Sequence, residues 1–263
     1  MCDDGWGSLE EFVAYANISI RVDIDAFVNW AHDAYALTDD SWDGAGAGDP
    51  YDGTLPYGKV LASIFLITYA LSDNYIPQWH STEDYLSCSR AGDNRFHGPF
   101  YMRFIEYDGS SEADAQTGRF AARDRTNLHC PLFNVGSISC FPSHRAGVLL
   151  HEAWHHWQYK HGFDGSHPDK SDACTGAECD YYYFHGSGQY DFGTLDRWST
   201  DPQSFHFHSP YQVEAEFFSD LAELAKPWVP DIICKTARDH GNILLEKYFI
   251  NKVGYRIGQP RPW

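Results

Sequence analysis

Two imidazoles four residues apart, with a carboxylate between them, mark the chemistry of this chain: His151-Glu152-Ala153-Trp154-His155, followed by His156-Trp157-Gln158. On a helix, residues i and i+4 lie about 40° apart on one face, so His151 and His155 can grip one Zn²⁺. Glu152 then lies beside the metal, where a carboxylate can take the proton from a water held there. Gln158 shares the face of the two histidines and is a candidate to support them. A catalytic zinc needs a third protein ligand and leaves its fourth position to water.

The third ligand is sought on the segment from Ser209 to Ala225. Ser209 is an N-cap, Pro210 stands at the first helical position, and Gln212 completes a capping box. At about 100° per residue, Phe217, Phe218, Leu221 and Ala225 cluster around the direction of Glu214. Glu216 points about 200° away, beside Asp220 and Glu223, which reads as a solvated face. A lone carboxylate in the apolar stripe is costly without a cation or donor, so Glu214 is the expected ligand.

These two segments resemble the gluzincin group of zinc metallopeptidases, in which two His and a downstream helix Glu bind zinc and the motif Glu is the general base. His151-Glu-Ala-Trp-His-His-Trp-Gln158 and Pro210-Tyr-Gln-Val-Glu-Ala215 are similar to the HExxHxxQ and PxxxEA segments of compact bacterial zincin domains. The resemblance spans about residues 130–225. It implies a peptide or protein substrate, with Glu152 catalytic and His151, His155 and Glu214 on the metal. Two alternatives for the third ligand stay open. Glu216-Phe-Phe-Ser-Asp220 resembles the ExxSD of thermolysin-like enzymes, which would make Glu216 the ligand. Gly193-Thr-Leu-Asp196 resembles the GTxD of aspzincins, which would make it Asp196, although Ser199-Thr200 stands where that family has Tyr-Gly. Zincins also hold the substrate backbone along an edge strand, and the strand expected at Leu132 to Ser139 is the candidate. An oxyanion donor is sought among Tyr190, His206, His208, Tyr211 and His240.

The elements that must position these groups can be read in outline. Ile24, Phe27, Val28, Ala31, Ala34 and Tyr35 share a helical stripe over Asp23 to Leu37. Leu61 to Leu71 reads as a nearly all-apolar helix. Phe100 to Tyr107 and Leu132 to Cys140 read as strands. Pro142 opens a helix running to about His161, Ser209 opens another, and Ile243 to Val253 suggests a last one. Residues 163–208 read as a long loop region rich in Gly, Ser, Asp, His and Tyr. The fold class expected is α+β: a zincin-like core with a small twisted β-sheet and zinc-bearing helices, disulfide-stapled, under a helical layer. Residues 1–95 would form that helical layer and residues 96–263 the catalytic region, as one compact unit.

Composition narrows the setting. The chain of 263 residues carries 19 Lys and Arg against 37 Asp and Glu, a formal charge of −18. That balance argues against a general nucleic-acid binder, which needs cations for the phosphates. The longest apolar stretch, Val60 to Leu71, is too short and interrupted to span a bilayer. No positively charged, apolar leader opens the sequence, so any secretion signal is expected to be already removed or never present. Seven cysteines without a CxxC pair suggest an oxidising compartment. Cys130/Cys140, Cys174/Cys179 and Cys88/Cys234 are the pairings considered, and Cys2 is a candidate lipid-anchor site. The expected location is therefore secreted or cell envelope. A second metal, Ca²⁺, is suggested at Asp39, Ser41, Asp43 and Gly44, which match the start of an EF-hand loop. The bidentate Glu is missing there, and Asp49 or Asp52 would have to substitute. Besides the peptidase, two other functions fit: a non-catalytic binding module with a structural zinc, and a zinc hydrolase of a non-peptide bond.

Overall fold

A computed structural model describes residues 7–16, 23–37, 42, 48–71, 104–108, 114–117, 125–133, 141–160, 210–248 and 257–258. Among them are six α-helices and one three-stranded sheet, an α+β arrangement. The helices are α1 (Leu9–Ala16), α2 (Ile24–Tyr35), α3 (Pro56–Tyr69), α4 (Pro142–Lys160), α5 (Pro210–Leu224) and α6 (Asp231–Tyr248). The strands are β1 (Phe104–Asp108), β2 (Ala115–Thr117) and β3 (Arg125–His129). Among the described residues no helix is long and apolar enough to cross a membrane.

Local chemistry accounts for several boundaries. Asp23 caps α2 by accepting from the Ala26 amide at 2.9 Å, and Ala36 ends the helix in the left-handed region. Ser8 and Glu11 form a capping pair on α1, with the Glu11 carboxylate reaching back to the Gly7 amide. Pro56 starts α3 five residues before the expected Leu61, because the fixed φ of proline suits the first turn. Asp52 accepts from both the amide and the hydroxyl of Thr54 just before that turn. The Asp49 carboxylate likewise accepts from the Tyr51 amide. Both acids proposed to complete a calcium loop are thus engaged in local turns. Asp39, Ser41, Asp43 and Gly44 lie outside the described residues.

The core is a single cluster that joins the N-terminal helices to the site helices. α3 is buried along almost its whole length and packs on α1, α2 and α4. Trp42 is fully buried, stacked near Tyr57 and Tyr107 at centroid distances of 5.4 and 5.5 Å, and its indole N–H donates to the Ile105 carbonyl. That contact closes the helical layer over β1. Lys59, also buried, donates to the Phe133 carbonyl at 3.2 Å, which gives its ammonium one acceptor in an apolar setting.

The sheet corrects one expectation. Its order is β1-β3-β2, with β1 parallel and β2 antiparallel to β3. The central strand is Arg-Thr-Asn-Leu-His, whose buried positions include polar Thr126 and His129. Leu132 and Phe133, expected to open a strand, instead complete a 3₁₀ turn over Cys130–Phe133, and residues 134–140 lie outside the described ones. Both side chains are buried, Phe133 edge-on to Trp42, rather than alternating along a pleat. The long-loop pairing of Cys234 with Cys88 is also not borne out: Cys234 is a free thiol. Burial holds that thiol protonated, pushing its pKa up. The Cys130 sulfur lies 3.2 Å from the Tyr107 hydroxyl. Cys2, Cys88, Cys140, Cys174 and Cys179 lie outside the described residues.

Candidate metal centre

α4 packs against α3, α5, α6 and β2, and two of its stripes carry different chemistry. His144, Gly147, His151 and His155 fall on one stripe at helical spacing, and Glu152 and His156 on the next. The first stripe meets α5. There the His151 Nδ1 lies 3.2 Å from the Glu214 Oε2, joining positions 63 residues apart in the chain. The rings of His151 and His155 are 5.1 Å apart, and the Tyr211 ring stands edge-on to His151 at 4.8 Å. His151, Glu152, His155 and Glu214 are all buried, with exposures between 5% and 9%.

Gly147 lets α5 come this close. A Cβ there would overlap the Phe218 ring and fall 3.1 Å from the Glu214 Cγ. Gly241 on α6 does the same for the other side of Phe218, where a Cβ would fall 3.0 Å from the Phe218 Cβ. Each glycine costs its helix about 1 kcal/mol relative to Ala, and the close packing of α4, α5 and α6 offsets that. Gly147→Val is therefore expected to destabilise the fold by about 1–3 kcal/mol through overpacking and to weaken the zinc binding proposed below by moving Glu214 away. Denaturant unfolding and zinc titration read the two effects. Unchanged stability would mean that the helices do not approach here as described.

The second stripe meets the sheet. The register pairs Thr117 on β2 with Thr126 on β3, so both hydroxyls project from one face, 3.0 Å apart. The Thr117 hydroxyl donates to the Glu152 Oε2 at 2.6 Å, and the Thr126 oxygen lies 2.8 Å from the His156 Nε2. Thr117, Thr126 and His156 were not among the expected site residues. Arg125-Thr-Asn-Leu-His129 has no apolar alternation that would announce a strand, and nothing local announced its partner.

Burial raises the pKa of Glu152 to about 7; the hydrogen bond from Thr117 pulls it down and the charge of Glu214 pushes it up. Burial likewise raises Glu214 to about 7, with the His144 charge lowering it and Asp114 raising it. His144 faces Asp114 at 3.5 Å and stands 5.0 Å from His240, ring to ring. His240 is buried between Phe141 and Phe218, and burial depresses its pKa to about 3.

Two buried imidazoles and a buried carboxylate form a donor set that suits zinc in type. Two buried carboxyl groups with raised pKa values would also gain from a nearby dication. The convergence is not complete: among the described residues, no group of three His, Cys, Asp or Glu side chains is arranged to hold an ion. Side-chain adjustment, beginning with the His151–Glu214 contact, is needed to gather all three donors. Glu216 lies on α5, but its side chain is outside the described residues, as is that of Gln158 on α4. Asp196, Tyr190, His206 and His208 also lie outside them. Of the oxyanion candidates that are described, Tyr211 stands beside His151, while His240 is packed one helix turn or more from the motif, near His144. An open depression of about 680 Å³, lined by Ala222, Ile232, Cys234, Lys235 and Arg238 among others, shares no residue with this site. No protein-family model, no curated protein and no solved structure matches the chain.

Proposed function

We propose that the protein is a zinc-dependent metallopeptidase. The observation that supports this most is the buried approach of Glu214 to His151 of the His151–His155 pair, with Glu152 held on the adjacent face of the same helix. Zinc, when bound by His151, His155 and Glu214, supplies Lewis-acid polarisation and makes water easier to deprotonate. Glu152 takes the proton of the attacking water and passes it to the leaving amine. Its raised pKa suits both halves of that task near neutral pH. Tyr211 is the donor we assign to the oxyanion, because its ring stands against His151. Among the described residues β2 is an edge of the sheet beside Glu152, which offers an extended peptide a line of backbone groups to pair with. The proposal includes an extracytoplasmic setting, on the cysteine content and the formal charge of −18.

The test combines metal and substrate. The purified full chain should bind one zinc per molecule and cleave casein or a mixed peptide library. A chelator should stop the cleavage and added zinc should restore it. Zinc binding without cleavage of any peptide would favour the binding module, and cleavage confined to ester substrates the non-peptide hydrolase. Failure to bind zinc would overturn the reading altogether.

A further inference from the structure

We propose that Thr117, Thr126 and His156 form a one-directional hydrogen-bond chain that positions the Glu152 carboxylate, occupying one of its oxygens and leaving the other for the attacking water. This rests on the reading of Glu152 as general base.

The direction follows from donor arithmetic. An ionised carboxylate only accepts, so the Thr117 hydroxyl must give its single proton to Glu152 across 2.6 Å. The Thr117 oxygen can then only accept in its 3.0 Å contact with Thr126, which spends the Thr126 proton. The Thr126 oxygen must accept in turn across 2.8 Å, so His156 carries its proton on Nε2. Each link polarises the next, and such chains strengthen in a buried setting. Thr126 and His156 are buried.

The geometry is also fixed at both ends. Thr117 and Thr126 are directly opposed in the β2–β3 register, so the sheet holds the two side chains next to each other on one face. Glu152 and His156 are one helical turn apart on α4, so the chain returns to the helix it started from. β2 and β3 thus set the rotamer of the catalytic carboxylate through two threonines. Thr117 and Thr126 touch no reacting atom and act as positioning residues.

Two measurements test this. ¹⁵N NMR of the full-length protein at pH 8 reads the His156 tautomer without reference to activity. The proton is expected on Nε2; a proton on Nδ1, with Nε2 accepting, would overturn the chain. In kinetics of the zinc-loaded protein, Thr117→Val should lower kcat about 10–100-fold, the range typical of groups that orient a metal site from behind. KM and zinc content should change little. Thr117→Ser keeps the hydroxyl and should stay within about threefold of wild type. Equal activity of the Val and Ser variants would remove the positioning role. With a wild type that hydrolyses nothing, the peptidase reading falls, and the hydrogen-bond chain is decided by the His156 tautomer alone.

Discussion

Glu152→Gln is expected to lower kcat by about 10²–10⁴-fold, the contribution of a positioned general base, while zinc remains bound at full stoichiometry. The glutamine amide has nearly the same shape and can still accept from the Thr117 hydroxyl now 2.6 Å from the carboxylate. His151 faces Glu214 on α5 and His155 lies beside His151 on the same stripe, away from Thr117, so the proposed metal donors are not disturbed. What the variant lacks is a group able to take and return a proton. The carboxyl is buried and its pKa is raised to about 7, so losing it also removes an acid that is costly to ionise. The variant should therefore be no less stable than wild type at pH 8 after chelation. Glu152→Asp keeps the charge but falls one methylene short of Thr117, so it should retain part of the rate only. Steady-state kinetics on a peptide substrate with parallel metal analysis decides the matter. Turnover within tenfold of wild type in the Gln variant would exclude Glu152 as the base.

The reach of the sequence in this protein follows the range of the interactions involved. The His151–His155 spacing and the boundaries of α4 are local, and the helix runs over Pro142–Lys160 as the Pro142 start implied. The burial of Glu214 was legible from the apolar residues around it, but α5 is buried on more than that stripe: Asp220, expected on a solvated face, is only 6% exposed. The sheet was less legible. β3 is central, yet Thr126 and His129 place polar atoms inside it, satisfied by the pairing partner and by α4, so it carries no apolar signature. α6 begins at Asp231, twelve residues before the expected Ile243. Lys235 and Asp239 face solvent there, and Gly241 sits where Phe218 and Ile257 leave no room for a Cβ, so the periodicity is interrupted by contacts from elsewhere in the chain. Gly147 is the same case in α4. A glycine inside α4 looks like a weakness in isolation and becomes a requirement once Phe218 and Glu214 are seen against it.

Glu214→Gln should change sign in its effect on stability depending on whether zinc is present. With zinc, the variant loses a charged ligand, and affinity should fall by at least about 100-fold, since removing even a partner that only orients a ligand costs 10–100-fold. After chelation the balance reverses. The carboxyl is raised from 4.5 in the free residue to about 7 by burial, so the folded protein binds more protons than the unfolded chain between those values. Stability contributed by the protonated form is complete below pH 4.5 and is lost as pH rises through 7. Over that window wild type should fall behind the Gln variant by about 3 kcal/mol, or about 1.4 kcal/mol per pH unit at the steepest. His240 acts in the opposite sense: its pKa is depressed to about 3, so it lowers stability as pH falls below 6.5. It is present in both proteins, and comparing the two at each pH cancels its contribution. Glu152 does the same in both and also cancels, apart from the term that each carboxylate exerts on the other. Urea unfolding of chelated wild type and variant from pH 4.5 to 8 measures the difference directly. A parallel pair of curves would mean that Glu214 is not held as a buried acid beside His151, and the ligand assignment would have to pass to another residue.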